Sequence, residues 1–180
     1  MLQLFRSLVV FGSLFWASSL GHAVAPPKET KGLHELAVDR GLLYFGTGTH
    51  NQDVRSEPRY YKQLNNTHDF GQVVPAWSQK QDVTNPSRGR FDFALADQVV
   101  NRALANGQLL RCHALIWHLS TPVWLVNGGF NNETLISIME EYITKVVSHY
   151  KGKCYAWDVV NEGQYAHAVF DGCSPMKLQQ

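Results

Sequence analysis

The sequence lacks an excess of charge of either sign: 16 lysines and arginines stand against 15 aspartates and glutamates. The basic residues are scattered, so nothing favours nucleic acid or an anionic membrane as a partner. Cysteine is scarce. Only Cys112, Cys154 and Cys173 are present, and no two have metal-ligand spacing, which excludes a zinc site. Three thiols cannot all pair with one another; Cys112 and Cys154 lie in apolar runs and read as small buried hydrophobes. No glycine-rich phosphate fingerprint follows the first apolar run, which argues against a dinucleotide-binding sheet. Long apolar stretches are missing as well. The residues 8–17 make a run about half as long as a membrane span needs.

That run has another reading. Arg6 precedes it, and small residues follow up to Ala23 and Ala25, the pattern of a secretory leader cut near one of these two rather than of an uncleaved anchor. Pro26 directly after Ala25 favours Ala23. Residues 1–25 are therefore read as a signal, residues 26–180 as the mature, secreted domain, with no membrane association after cleavage. Two N-x-T triplets, at Asn65 and Asn132, fall where surface loops are expected and are candidate glycan acceptors.

Beyond a short leader at 26–30, helical and strand-like segments alternate. A modest helix at 33–40 closes on Gly41. A β-prone run at 42–49 precedes a helix from Ser56, with Pro58 in its first turn, to about Asn65. A second run covers 70–77. Residues 93–105 place Leu95, Val99, Val100, Ala103 and Leu104 on one helical face, which Asn106-Gly107 ends. A third run spans 109–118. A helix over 134–150 carries Leu135, Met139, Tyr142, Val146 and Tyr150 at steps of four and three, and a fourth run occupies 154–161. Runs apolar throughout and separated by helices predict parallel strands buried on both faces. The expected fold is α/β: a partial (β/α)8 barrel of roughly the first four βα units. An open doubly wound sheet would show the same alternation.

In such a barrel chemistry collects at the carboxyl ends of the strands. The first run leads to His50 and Asn51, the second to Trp77, Ser78 and Lys80, the third to Trp117 and His118, and the fourth to Asn161 and Glu162. A glutamate directly after an apolar strand is costly to bury without a role. Between aromatic walls its carboxyl would hold a proton to higher pH and deliver it to a leaving oxygen, which is the acid half of glycoside cleavage. The plainer alternatives are a solvated loop residue for Glu162, a core-capping residue for His118 and a solvated charge for Lys80. Trp117 and Trp124 read as packing, and Asp158 as a structural acceptor within its strand.

The blocks Leu43-Tyr44-Phe45-Gly46-Thr47, Arg90-Phe91-Asp92-Phe93, Leu115-Ile116-Trp117-His118 and above all Lys153-Cys154-Tyr155-Ala156-Trp157-Asp158-Val159-Val160-Asn161-Glu162 resemble the fungal secreted xylanases of glycoside hydrolase family 10. The resemblance runs over 33–170. It implies a retaining endo-1,4-β-xylanase without cofactor or metal, with β-1,4-xylan or xylo-oligosaccharide as partner. By it Glu162 is the acid/base, Asn161 and His118 hold the sugar beside the scissile bond, and Lys80 is a xylose ligand.

Two departures accompany the resemblance. Retaining cleavage needs a second carboxyl as nucleophile, roughly 5–5.5 Å from the first, and the family carries it on a later strand. Among the eighteen residues after Glu162 the only carboxylate side chain is Asp171, in a tail that no longer follows the family. After the second strand, Trp77 stands where the family has a sugar-binding asparagine. Residues 26–180 are accordingly read as an incomplete catalytic domain of weak or absent activity, with exposed sheet edges open to self-association. The alternatives are a non-catalytic secreted glycan-binding protein, in which Trp77 is an added stacking platform, and a non-functional gene product.

Overall fold

The computed structural model describes residues 30–50 and 57–163. The leader with Ala23 and Ala25, as well as Asn51, Ser56, Asp171 and Cys173, lies outside them. Everything described from Lys31 onward belongs to one unit.

Helix α1 (Leu33–Asp39) begins where the Glu35 carboxylate accepts from the Gly32 backbone N–H at 2.9 Å, and ends at Gly41, whose φ of 79° suits a residue without Cβ. Strand β1 (Gly46–Thr49) is shorter than the apolar run suggests. The Leu42 amide closes the exit of α1 by donating to the Ala37 carbonyl at 3.0 Å, and both Leu42 and Leu43 are exposed. Helix α2 (Pro58–Leu64) has proline at its first position; Glu57 caps it by accepting from the Arg59 N–H at 3.1 Å. Strand β2 (Gln72–Pro75) follows, then a single turn, α3 (Gln81–Thr84), too short to leave a periodic signal. Helix α4 (Ala94–Ala105) leads to β3 (Leu109–Trp117). A 3-10 turn, His118–Ser120, and a short α5 (Val123–Val126) precede α6 (Asn132–His149), where Asn131 Oδ1 accepts from the Thr134 N–H at 3.0 Å. Strand β4 (Ala156–Asn161) completes the described chain.

All four strands are parallel and stand in the order β1-β2-β3-β4. A doubly wound sheet reverses its strand order at a switch point; a consecutive order is that of a (β/α)8 barrel. The structure is therefore part of such a barrel. The β3–β4 register shifts between His113 and Ile116, where the His113–Ala114 peptide is cis.

The core joins Val73, Leu110, Cys112 and Leu115 of the strands to Val99, Val100 and Ala103 of α4 and to Tyr142, Val146 and Tyr150 at α6. Three expectations need correction here. The buried stripe of α6 is Ile138, Tyr142 and Val146, at uniform steps of four, while Leu135 and Met139 are exposed; the apolar residues on two adjoining stripes make the face ambiguous from spacing alone. On β4, an edge of this sheet, Val159 and Val160 are 53% and 61% exposed rather than buried. Finally, Cys112 and Cys154 are not free thiols but a disulfide, with Cα atoms 5.7 Å apart. The Tyr155 amide donates to the Leu110 carbonyl at 2.8 Å, which brings the entry to β4 against β3 and sets the two sulfurs together.

Candidate active site

The carboxyl ends of β3 and β4 bring the expected residues into one place. Their register pairs Trp117 with Asn161, so the residues after each, His118 and Glu162, emerge side by side. A cavity of about 260 Å³ is lined by Trp117, His118, Thr121, Asn161 and Glu162 with Ile116 and Val160. Glu162 is its only carboxylate among the described residues.

Glu162 is exposed, and its carboxylate accepts a hydrogen bond from the Trp117 indole N–H at 2.8 Å. Its backbone φ of 54° lies in the left-handed region, unusual for a residue with a side chain and costing on the order of 1 kcal/mol. That turn leaves the strand direction immediately after Asn161 and directs the carboxyl to the indole instead of continuing the ladder.

Lys80 reaches the same place by another route. It stands at the start of α3, after the β2 end, with Nζ 3.9 Å from the centroid of the Trp117 ring. Burial pushes its pKa down, against the opposing pull of the Asp82 and Glu162 charges. Trp117 thus lies between a cation on its face and a carboxylate at its N–H. The reading of Trp117 as packing is corrected: it is the residue that links Lys80 to Glu162. Nothing in its spacing showed this, since an apolar ring at a strand end looks the same in either role. His118 meets Trp117 edge-on, with ring centroids 6.1 Å apart. Trp77 is half-buried, and its carbonyl accepts from the Lys80 N–H at 3.0 Å. Trp124 is packing, as expected: it donates to the Asn85 carbonyl at 2.9 Å and lies against Phe130. His50, exposed at the β1 end, is not among the residues lining the cavity.

Asp158 is the structural acceptor the sequence suggests. Arg111 Nε donates to both of its carboxylate oxygens at 3.1 Å, and His113 Nδ1 lies 2.9 Å from Oδ2. The hydrogen bond from Arg111 holds the Asp158 pKa below the usual carboxylate value, and partial burial opposes it. A depressed folded-state pKa adds stability above the unfolded value near 4 and loses it as pH falls through the folded value. Asp158→Asn is expected to cost on the order of 1 kcal/mol at neutral pH, discounted for the solvent reaching Arg111. The difference from the parent chain should shrink as pH falls through the folded value, as read from urea midpoints compared at neutral and at acid pH. Gln79, fully buried, ties this cluster to the region after β2: its Oε1 accepts from the His113 N–H at 3.1 Å and its Nε2 points to Cys112 Sγ at 3.3 Å.

Among the described residues no cluster of His, Cys, Asp and Glu is arranged to hold a metal ion, and no helix is long and apolar enough to cross a membrane.

Comparison with known proteins gives a consistent picture. The Glycosyl hydrolase family 10 profile matches residues 32–171. Endo-1,4-beta-xylanase 1 of Humicola insolens is 48% identical over 143 residues, which are 77% of this chain and 33% of that protein. The endo-1,4-beta-xylanase of Agaricus bisporus is 46% identical over 143 residues, 77% of this chain and 43% of that one. Among solved structures, the GH10 xylanase from Bispora sp. MEY-1 with xylobiose superposes with a TM-score of 0.68 at 41% identity, covering 73% of this chain and 40% of that one. Xylanase 10B from Thermotoga petrophila, also with xylobiose, gives 0.70 at 31% identity, covering 75% and 41%. The chain spans about a third to two-fifths of the length of these relatives.

Proposed function

Because the chain belongs to glycosyl hydrolase family 10, we propose that it carries the acid/base portion of a retaining endo-1,4-β-xylanase site, with Glu162 as the proton donor to the glycosidic oxygen. The observation that carries this reading is the Trp117–Glu162 hydrogen bond beside Asn161 and His118, which fixes one carboxyl at the mouth of a parallel barrel. Donors on Asn161, His118 and Lys80 would orient a xylo-oligosaccharide. No metal or cofactor enters the proposed reaction. Acid catalysis needs a proton at the leaving oxygen and a second group to capture the developing oxocarbenium ion.

Asp158 does not fill that second role, since Arg111 and His113 occupy its carboxylate. Glu162 is therefore the acid half of a two-carboxylate reaction whose nucleophile is not among the described residues. These 180 residues alone are expected to hydrolyse xylan weakly or not at all. Joined ahead of the portion of the Humicola insolens enzyme that lies beyond the matched region, the chain should gain clear xylan-hydrolysing activity. A chimera that folds cooperatively, binds xylo-oligosaccharide and still fails to cleave xylan would count against the reading.

The leader-like residues 1–25 support secretion of a domain at 26–180. Among the described residues β4 is an edge strand, and its exposed Val159 and Val160 offer a surface for self-association.

A further inference from the structure

Two N-x-T triplets are present, Asn65-Asn66-Thr67 and Asn132-Glu133-Thr134, and the fold treats them differently. Asn65 follows α2 and is half-buried; its Oδ1 accepts from Asn106 Nδ2 at 2.8 Å. Asn106 in turn reaches Gln108 Oε1 at 3.3 Å, and Gln108 Nε2 donates to the Leu64 and Phe70 carbonyls at 3.1 and 2.8 Å. A branched sugar on Asn65 would have to be accommodated within this partly buried polar network. Asn132 is the first residue of α6 and exposed, and its side chain makes no hydrogen bond among the described residues.

One helical turn from Asn132 lie Leu135 and Ile136, and two turns away Met139; they are 39%, 52% and 41% exposed. With Asn132 they line a shallow apolar cavity of about 310 Å³. The buried face of this helix is elsewhere, at Ile138, Tyr142 and Val146, so core packing among the described residues leaves this patch uncovered. A contiguous apolar patch on a secreted domain is an association hazard unless something lies over it. The C–H faces of pyranose rings are suited to lie on such side chains.

We propose that Asn132, and not Asn65, carries an N-linked oligosaccharide whose inner sugars cover Leu135, Ile136 and Met139. In the transfer, Asn132 Nδ2 attacks the anomeric carbon of an oligosaccharide held on a lipid diphosphate. The N–C bond forms as the C–O bond to the diphosphate breaks, the lipid diphosphate leaves with the electron pair, and the amide proton passes to a base of the transferring enzyme. The modification requires entry to the secretory pathway, which residues 1–25 support.

The full chain, translated with microsomes and separately secreted from yeast, tests this. Enzymatic release of N-glycans in isotopically heavy water, followed by peptide mass spectrometry, is expected to label position 132 and leave position 65 unlabelled. Asn132→Gln should abolish the glycan and Asn65→Gln should leave it intact. Removing the glycan should increase binding of a hydrophobic fluorescent dye severalfold, and Leu135→Ser with Ile136→Ser should cancel that increase. Label at 65, or none at 132, overturns the assignment. Labelling at 132 without a dye response overturns the covering role.

Discussion

Removing the Cys112–Cys154 bridge, by changing both residues to alanine, is expected to lower unfolding stability by about 4 kcal/mol. The bridge closes a segment of 42 residues containing α5 and α6, and in the chain-entropy treatment a loop of this length restricts the unfolded ensemble by that amount. Domains are stable by only about 5–15 kcal/mol, so the loss is a large fraction of the total. The local cost adds to it, because Cys112 is fully buried and Gln79 loses the sulfur it faces. Urea titration of the parent chain with and without reductant provides the check. Reductant should lower the midpoint of the parent and leave that of the double variant unmoved. An identical midpoint for the reduced and unreduced parent would mean that the two thiols are not joined.

Glu162→Gln is expected to reduce xylan hydrolysis by the chimera roughly 10²–10⁴-fold, the usual contribution of a positioned acid/base. That range corresponds to about 3–5 kcal/mol of transition-state stabilisation. Glutamine keeps the size of the side chain and an oxygen able to accept from the Trp117 indole, so the cavity keeps its shape and only the transferable proton is lost. The loss should therefore appear in kcat, with oligosaccharide affinity little changed, as measured by steady-state kinetics beside calorimetry.

Much of this organisation is legible in the residues themselves. The alternation of apolar runs with amphipathic helices implies parallel strands, and the polar residues ending the runs include His118, Asn161, Glu162 and Lys80, which the structure gathers around Trp117. What escapes is whatever depends on strand register. The Trp117 indole could not be assigned to Glu162, because β3 and β4 lie far apart in sequence and their pairing is interrupted by a shift between His113 and Ile116. The disulfide escapes for the same reason: Cys112 and Cys154 become neighbours only when β4 enters beside β3, and as isolated thiols in apolar runs they look inert. On α6 two apolar stripes compete, and packing against α4 and the sheet selects the one that carries Tyr142 and Val146. The left-handed turn at Glu162 leaves no trace in spacing, since glutamate is not a residue that announces φ of 54°.

The role of Glu162 is tested most directly by how the Glu162→Gln loss depends on the leaving group. A proton donor matters when the departing oxygen is a sugar alkoxide and hardly matters when it is an acidic phenol that leaves unaided. In the chimera, the variant should lose roughly 10²–10⁴-fold on xylan but form the glycosyl-enzyme from 2,4-dinitrophenyl β-xylobioside at close to the parent rate. Equal losses in that first step on both substrates would show that Glu162 serves binding or structure and supplies no proton.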